Sequence, residues 1–312
     1  MLKSHAPTVT IGLPVYNGAD LLANALKSIR DQTYENLEII VVDNASTDLT
    51  AETCRRFAST DPRIRYVRND HNIGVARNFN RVFELAHGKY FKWAAHDDWI
   101  DPLFIAECVT RLEADASSVL CWTGSRFVDL AGNLSDEQPH AGNPHLLSSA
   151  VPVTLRFRQA LHAYPGPTLY GLMRADALRR TQLFRGTVGS DRVLLVELSM
   201  LGGFSWVPDV LFFERHWPDE RVGHYTSSYW DPTRKSQRVT SAYLSQAIQC
   251  MSTVAARRFD PLTTVSLMLS VIAKYGPTIL RRSLWSSRER VRHLLARRRP
   301  LHKTSTGVRP YE

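Results

Sequence analysis

Short apolar runs and longer amphipathic stretches alternate through the N-terminal third of the chain. Thr8–Leu13 (TVTIGL) is a run of β-forming residues that stops at Pro14, and Asn17-Gly18 supplies a turn. Leu21, Leu22, Ala25, Leu26 and Ile29 then recur at helical spacing, with Asp20 placed to cap that helix. Leu37–Val42 (LEIIVV) is almost continuously apolar, as a strand buried on both faces must be, and it ends in the polar run Asp43–Asp48. A second helix is expected over Leu49–Ala58 and a third strand over Ile64–Val67, followed by Asn69–Gly74. Val75, Phe79, Val82, Phe83 and Ala86 mark one face of a third helix ending at Gly88, and Lys89-Tyr90-Phe91 leads a fourth strand into His96-Asp97-Asp98. Such alternation predicts an α/β fold with a mainly parallel sheet flanked by helices. In parallel strands the loops Pro14–Asp20, Asp43–Asp48, Asn69–Gly74 and His96–Asp101 all fall on one sheet edge, where ligands of open α/β sheets sit.

The pattern is less regular afterwards. A helix is expected near Pro102–Leu112, with Ile105, Cys108, Val109 and Leu112 inward. Val119–Thr123 and Arg126–Leu130 read as separate strands, Ser135–Ser149 as a mobile loop, Thr154–His162 as a helix and Thr168–Met173 as a strand. Gly186–Gly189 introduces a strongly apolar helix opening at Ser190-Asp191-Arg192, and strands are expected over Phe204–Val207 and Val210–Phe213. From about Asp231 the character becomes helical, with helices over Arg234–Ala255 and Thr263–Tyr275 and a basic amphipathic helix over Arg281–Arg299. These shifts divide the chain into 1–230, with halves 8–100 and 101–230, and a helical, basic extension over 231–312.

Composition refines this picture at two points. The net charge of +9 is concentrated at the end, since ten of the 39 Lys/Arg but only two of the 30 acids fall in 281–312. The basic balance therefore belongs to the tail, and no nucleic-acid-binding module accompanies it. Cys54, Cys108, Cys121 and Cys250 form no close pair, which reads as buried thiols in a reducing compartment. The N-terminus shows no signal-peptide core, and no run approaches the ~18 apolar residues of a spanning helix. The expectation is a cytoplasmic protein that meets a membrane only from its surface.

Two adjacent carboxylates at a strand end, Asp97 and Asp98, are either a helix-capping turn or a site for a hard divalent cation whose shell substrate phosphates complete. The loops around them resemble the strand-end motifs of family 2 glycosyltransferases over about residues 8–218: Pro14-Val15-Tyr16-Asn17-Gly18, Val41–Asp48, Asn72–Asn78 and His96-Asp97-Asp98 fall in the family's order. The resemblance implies a GT-A, Rossmann-like fold and an inverting enzyme that uses a UDP- or dTDP-sugar with manganese or magnesium. It places Pro14, Tyr16, Asn17 and Asp43 at the base, Arg77 at the nucleotide, Asp97 at the ribose and Asp98 on the metal. The acid the family often carries two positions before its last Asp is His96 here. Asp191 matches the family's general base, with Ser190 where a Glu is common, and His216 matches a histidine that closes on the diphosphate or metal. Outside the resemblance, Asp43 and Asp191 are ordinary helix-start acids, Arg77 and His216 surface residues, and Trp217 a core or acceptor-stacking residue.

The implied acceptor is a saccharide or lipid-linked saccharide of cell-surface polysaccharide or glycolipid synthesis. The basic stretch 281–303 suits an anionic membrane surface, with packing on a partner as the plainer reading. A nucleotidyltransferase and a non-catalytic sugar-nucleotide-binding protein are the alternatives. The first leaves Asp191 and His216 without a purpose.

Overall fold

The computed structural model describes residues 9–129, 131–135, 144–162, 166–216 and 242–297, with side chains of the last helix described to residue 281. Strands β1 (Val9–Val15), β2 (Leu37–Asp43), β3 (Ile64–Arg68) and β4 (Tyr90–Trp93) alternate with helices α1 (Ala19–Arg30), α2 (Thr50–Thr60) and α3 (Val75–Glu84). β5 (Trp99–Ile100), α4 (Phe104–Ala114), β6 (Ser118–Val128), a 3₁₀ turn (Pro144–Leu147), α5 (Val153–His162), α6 (Gly166–Leu169), β7 (Leu172–Arg174), α7 (Ala175–Arg179), α8 (Ser190–Ser199) and β8 (Gly203–Arg215) follow. Helices α9 (Ala242–Ala255) and α10 (Pro261–Arg297) close the described chain.

The strands form one sheet in the order β3-β2-β1-β4-β7-β6-β8-β5. β1 pairs in parallel with β2 and β4, and β2 with β3, so the first four strand ends share an edge as expected. β7 runs against β4 and β6, and β5 against β8. Side chains two apart on a strand share a face. Ile39 and Val41 accordingly join Leu22, Leu26, Ile105 and Cys108 in one core, under α1, α2 and α4. Ile40 and Val42 join Trp93, Val193, Leu194, Cys250, Leu267 and Val271 in the other, under α3, α5, α8, α9 and α10. All four cysteines are free and buried, as the sequence suggested.

Several sequence readings need correction. The two expected strands over 119–130 are one strand, β6, with a register shift at Gly124, and those over 204–213 are likewise one, β8. Residues 166–169 are helical and the strand there begins only at Leu172. Asp20 does not cap α1: Gly18 holds the N-cap position, and the Ala19 N–H is taken at 3.1 Å by Asp48 from the neighbouring loop. Of Ser135–Ser149, residues 136–143 lie outside the described residues and Pro144–Leu147 form the 3₁₀ turn. Helix α10 runs unbroken through Pro277 where two helices were expected. Its Pro261–Arg281 portion, 21 residues at mean hydropathy 1.2, is long and apolar enough to cross a membrane, contrary to the sequence reading. Trp217 and the tail beyond residue 297 lie outside the described residues.

Candidate active site

Hydrogen bonds wire the first three strand-end loops together. The Asn17 N–H donates to Ser46 Oγ (2.9 Å) and Asn17 Oδ1 accepts the Thr47 N–H (2.8 Å), so Asn17 stitches the β1 loop to the β2 loop. Its φ of +49° is the left-handed conformation Asn tolerates. From the β2 loop, Asn44 donates through Nδ2 to Asn72 (2.9 Å) and accepts at Oδ1 from Asn69 Nδ2 (3.0 Å) and the Ile73 N–H (2.9 Å). Asn69 also donates to Asn78, whose own Nδ2 returns to the Val42 carbonyl at 3.1 Å. The motif match covered Asn44, Asn72 and Asn78 without giving any of them a role. Their signal was a cluster of asparagines, one directly after β2 and the others in the loop and helix that follow β3.

Pro14 is buried near the end of β1, and Tyr16 beyond the strand is 44% exposed. Asp43 is wholly buried. Its Oδ1 accepts the Ser46 N–H (2.8 Å), and its Oδ2 accepts from the Tyr66 hydroxyl and Arg68 guanidinium, both at 2.8 Å. Burial, and after it the bond to Asp43, push the Tyr66 phenol up to about 12. Arg77 is exposed on the first turn of α3.

The acidic loop is clamped from β8. Asp98 Oδ1 accepts the Arg215 N–H (2.8 Å), while the Arg215 guanidinium donates to the carbonyls of Asp97 (3.1 Å) and Asp129 (2.7 Å). Arg215 is 5% exposed and lies 5.3 Å over the Trp99 ring. Sequence reasoning missed it. Its position, just before the histidine ending β8, was the only hint. His96 packs on Gly18 and sits 3.6 Å from Asp97, joining the fourth loop to the first. His216 follows Arg215; its N–H donates to Val128 O (2.8 Å) and its exposed ring lies 5.2 Å from Phe127.

Burial pushes the Asp98 carboxyl well above the usual range, and the nearby charges of Asp97 and Glu214 add to that. Excess negative charge on oxygen ligands is what a hard divalent cation relieves. Among the described residues no three His, Cys, Asp or Glu side chains are grouped to hold a metal. A divalent cation held here would therefore draw at most one or two protein oxygens and take the rest of its shell from a diphosphate and water. Lys92, 1% exposed, runs beneath this loop among Phe104, Tyr170 and Phe212 and donates to the Tyr170 carbonyl. Burial brings its ammonium down to about 7.

Asp191 lies in the first turn of α8, a helix buried from Val193 to Ser199 and therefore fixed in the core, with Glu197 its one charged residue in that stretch. Its Oδ1 accepts the Arg192 N–H (2.8 Å), and burial raises its carboxyl above the ordinary range, as suits a general base. The segment before it lies against α3: Asn80 exchanges two hydrogen bonds with the Phe184 backbone (2.9 and 3.0 Å), and Gly186 faces Ala76, next to Arg77.

Known proteins resemble this chain in sequence over its first part and in fold. The family profile described as "Glycosyl transferase family 2" matches residues 10–180. An uncharacterised glycosyltransferase of Haemophilus influenzae is 37% identical over 109 residues, 35% of this chain and 34% of that one. The matched stretch spans between 14% and 38% of the curated relatives' length. Among solved structures, residues 1–349 of S. aureus TarS with UDP-GlcNAc align at TM-score 0.65 and 15% identity, over 86% of this chain and 72% of that one. The Pyrobaculum calidifontis mannosyltransferase PcManGT with GDP-Man and Mn2+ aligns at TM-score 0.53 and 18% identity, over 92% and 81%. Both likenesses are of fold.

Proposed function

This chain belongs to glycosyltransferase family 2, and we propose that it is an inverting enzyme that moves a sugar from a nucleoside-diphosphate donor to an acceptor hydroxyl. The observation that carries this reading is the convergence of interlocked strand-end loops on one sheet edge, with the buried Asp98 carboxyl at its centre. Residues 8–100 form the donor half and 101–230 the acceptor half, with 231–312 an extension.

In this reading Tyr16 offers its exposed ring to the base, while Pro14 and Asn17 fix the wall beside it. Asp43 already holds Tyr66 and Arg68. A uracil or thymine N–H reaches it only if Arg68 swings aside; otherwise Asp43 acts by holding Arg68 at the rim. Asp97 faces the ribose, and Arg77 and His216 face the diphosphate. Asp98 would hold a manganese or magnesium ion, which when bound would neutralise charge on the departing diphosphate. Asp191 takes the proton of the acceptor hydroxyl. The oxygen forms its bond to the anomeric carbon as the bond to the diphosphate breaks, and the leaving group keeps that electron pair. One displacement inverts the configuration, so a product that retains it would refute this step. The UDP-GlcNAc held by TarS and the GDP-Man and Mn2+ held by PcManGT support a metal-assisted nucleotide-sugar site. UDP and dTDP are the donor diphosphates to try first.

The acceptor is a saccharide or lipid-linked saccharide of cell-surface polysaccharide or glycolipid synthesis, met at the cytoplasmic face of a membrane. Helix α10 supports this. Its inner face buries Leu267, Val271 and Tyr275, yet Leu262, Val265, Leu269, Ile272 and Leu280 on its outer face are 51–83% exposed. The only charged residue between 261 and 280 is Lys274, and eight arginines follow in 281–299. An outward apolar stripe running into a basic stretch fits an anionic bilayer surface.

Thermal unfolding with UDP, dTDP and GDP, with and without manganese, tests the donor site. At a hundred times its dissociation constant a ligand adds about 2.7 kcal/mol, roughly 4 °C in a chain of this size. A manganese-dependent shift with one diphosphate, lost in Asp98→Ala, is the expected result. A shift that ignores manganese and survives Asp98→Ala would overturn the assignment of Asp98.

A further inference from the structure

The turn before Asp191 is held by helices that lie beyond the family match at residues 10–180. The chain there passes through Gly186 (φ +69°) and Gly189 (φ +78°), residues whose conformational freedom leaves the turn soft unless something holds it. The holder is one face of α9. Gln246 lies so close to Gly189 that an added Cβ there would stand 2.1 Å from its Nε2. That Nε2 donates to the Val188 carbonyl at 3.0 Å, while Oε1 accepts the Tyr275 hydroxyl of α10, also at 3.0 Å. Gln246 is 4% exposed and Tyr275 1%. Further along the same face, Gln249 donates to the Thr187 hydroxyl (2.7 Å) and the Thr253 hydroxyl donates to Glu197 (2.9 Å), which is paired with Arg185 (2.5 Å). Contacts at 246, 249 and 253 are one helical stripe laid along 185–189. This far exceeds what apolar packing of α9 would require.

We propose that Gln246 and Tyr275 are positioning residues for Asp191: the chain Tyr275–Gln246–Val188 fixes the turn that aims the carboxylate, which makes the C-terminal helices part of the working enzyme. The proposal rests on Asp191 acting as the base. The ionisable groups around Asp191 are Arg192 on its own helix and Tyr275 on α10, whose hydroxyl also meets Arg192; Lys274 of α10 and His162 of α5 lie near Arg192, and Arg158 lies near His162. Loosening the turn admits water to a carboxyl whose burial now raises it, so the acid limb of the rate profile moves to lower pH.

Gln246→Ala, Tyr275→Phe and Asp191→Asn in the full chain test this. Tyr275→Phe removes one hydroxyl and keeps the ring, so it preserves the fold if Gln246→Ala does not. Amide hydrogen exchange needs no substrate and decides first. In Tyr275→Phe the amides of 186–192 should exchange about tenfold faster, one hydrogen bond's worth, with 43–48 and 96–101 unchanged. UDP-GlcNAc hydrolysis with manganese serves as the turnover probe. There kcat should fall about tenfold with KM little altered, and the acid limb should shift down. A lowered melting temperature without faster local exchange would make these ordinary packing residues and overturn the proposal. If Asp191→Asn stops turnover while both other variants keep kcat, acid limb and exchange, the relay fails and the base stands. If Asp191→Asn turns over normally, the base assignment fails and the relay with it.

Discussion

Asn78→Ala tests whether the amide network holds the donor loops in place. Asn78 is 3% exposed, donates to Val42 O at 3.1 Å and accepts from Asn69 at 3.0 Å. Both bonds are lost on truncation. Asn69 Nδ2 keeps its bond to Asn44, so the larger cost falls on the Val42 carbonyl and the small void. Each lost bond costs about 1 kcal/mol net, and a stranded buried group up to about 3, which gives roughly 2–4 kcal/mol in total. For a chain this long that is roughly 3–6 °C of melting temperature. Calorimetry at fixed pH and salt measures it, and a nucleoside diphosphate titration shows whether donor affinity falls too. Asn69→Ala, alone and combined with Asn78→Ala, should be non-additive by at least about 0.5 kcal/mol because the two side chains share a bond. A melting shift under about 1 °C, less than a single hydrogen bond supplies, together with strict additivity, would show that these asparagines do not hold the loops.

Other expectations follow from buried charge and from the outer face of α10. Burial raises Asp191 in the folded chain, so its contribution to stability is complete below the unfolded value of about 3.9 and is lost as pH climbs through the folded one. Asp191→Asn should therefore melt above wild type at neutral pH, with the gap closing towards about pH 4; a pH-independent gap would contradict the burial argument. Lys92 is lowered to about 7 when folded, so the unfolded chain binds its extra proton between there and about 10.4. Wild type should gain stability relative to Lys92→Met across that window, and parallel stability curves would show that the ammonium is not desolvated. Replacing Leu269 and Ile272 by Glu should sharply reduce co-flotation with anionic vesicles; undiminished binding, or loss of a dimer instead, would assign the stripe to another occupant.

The N-terminal half was legible because its code is local. Period-two and period-3.6 patterns located β1 to β4 and α1 to α3, and parallel pairing then put their loops on one edge. Misreadings cluster where a partner strand overrules a local signal. Gly124-Ser125 and Pro208-Asp209 look like breaks, yet they face each other across β6 and β8: an added Cβ on Gly124 would stand 2.7 Å from Pro208 O. Pairing through that matched irregularity keeps both strands whole. The Asp20 cap failed for a related reason, since Asp48, 28 residues on in the chain, reached the helix start first. Arg215 and Gln246 were illegible because their meaning lies in backbone carbonyls more than fifty residues away, at Asp97, Asp129 and Val188. The acids of the site showed in the sequence, but the groups that hold them still did not.

The buried cysteines give the molecule a set of internal clocks. Cys54 and Cys250 are both pushed up to about 12, and Cys108 is raised well above the ordinary thiol. A thiol so masked reacts with an alkylating reagent only when its surroundings open. The four sit in different places: Cys54 in α2, Cys108 in α4, Cys121 in β6 and Cys250 in α9. Timed alkylation of the unmodified protein, read by mass, would thus report separately on the donor half, the central sheet and the C-terminal helices. The order in which the four labels appear is the order in which these parts let go.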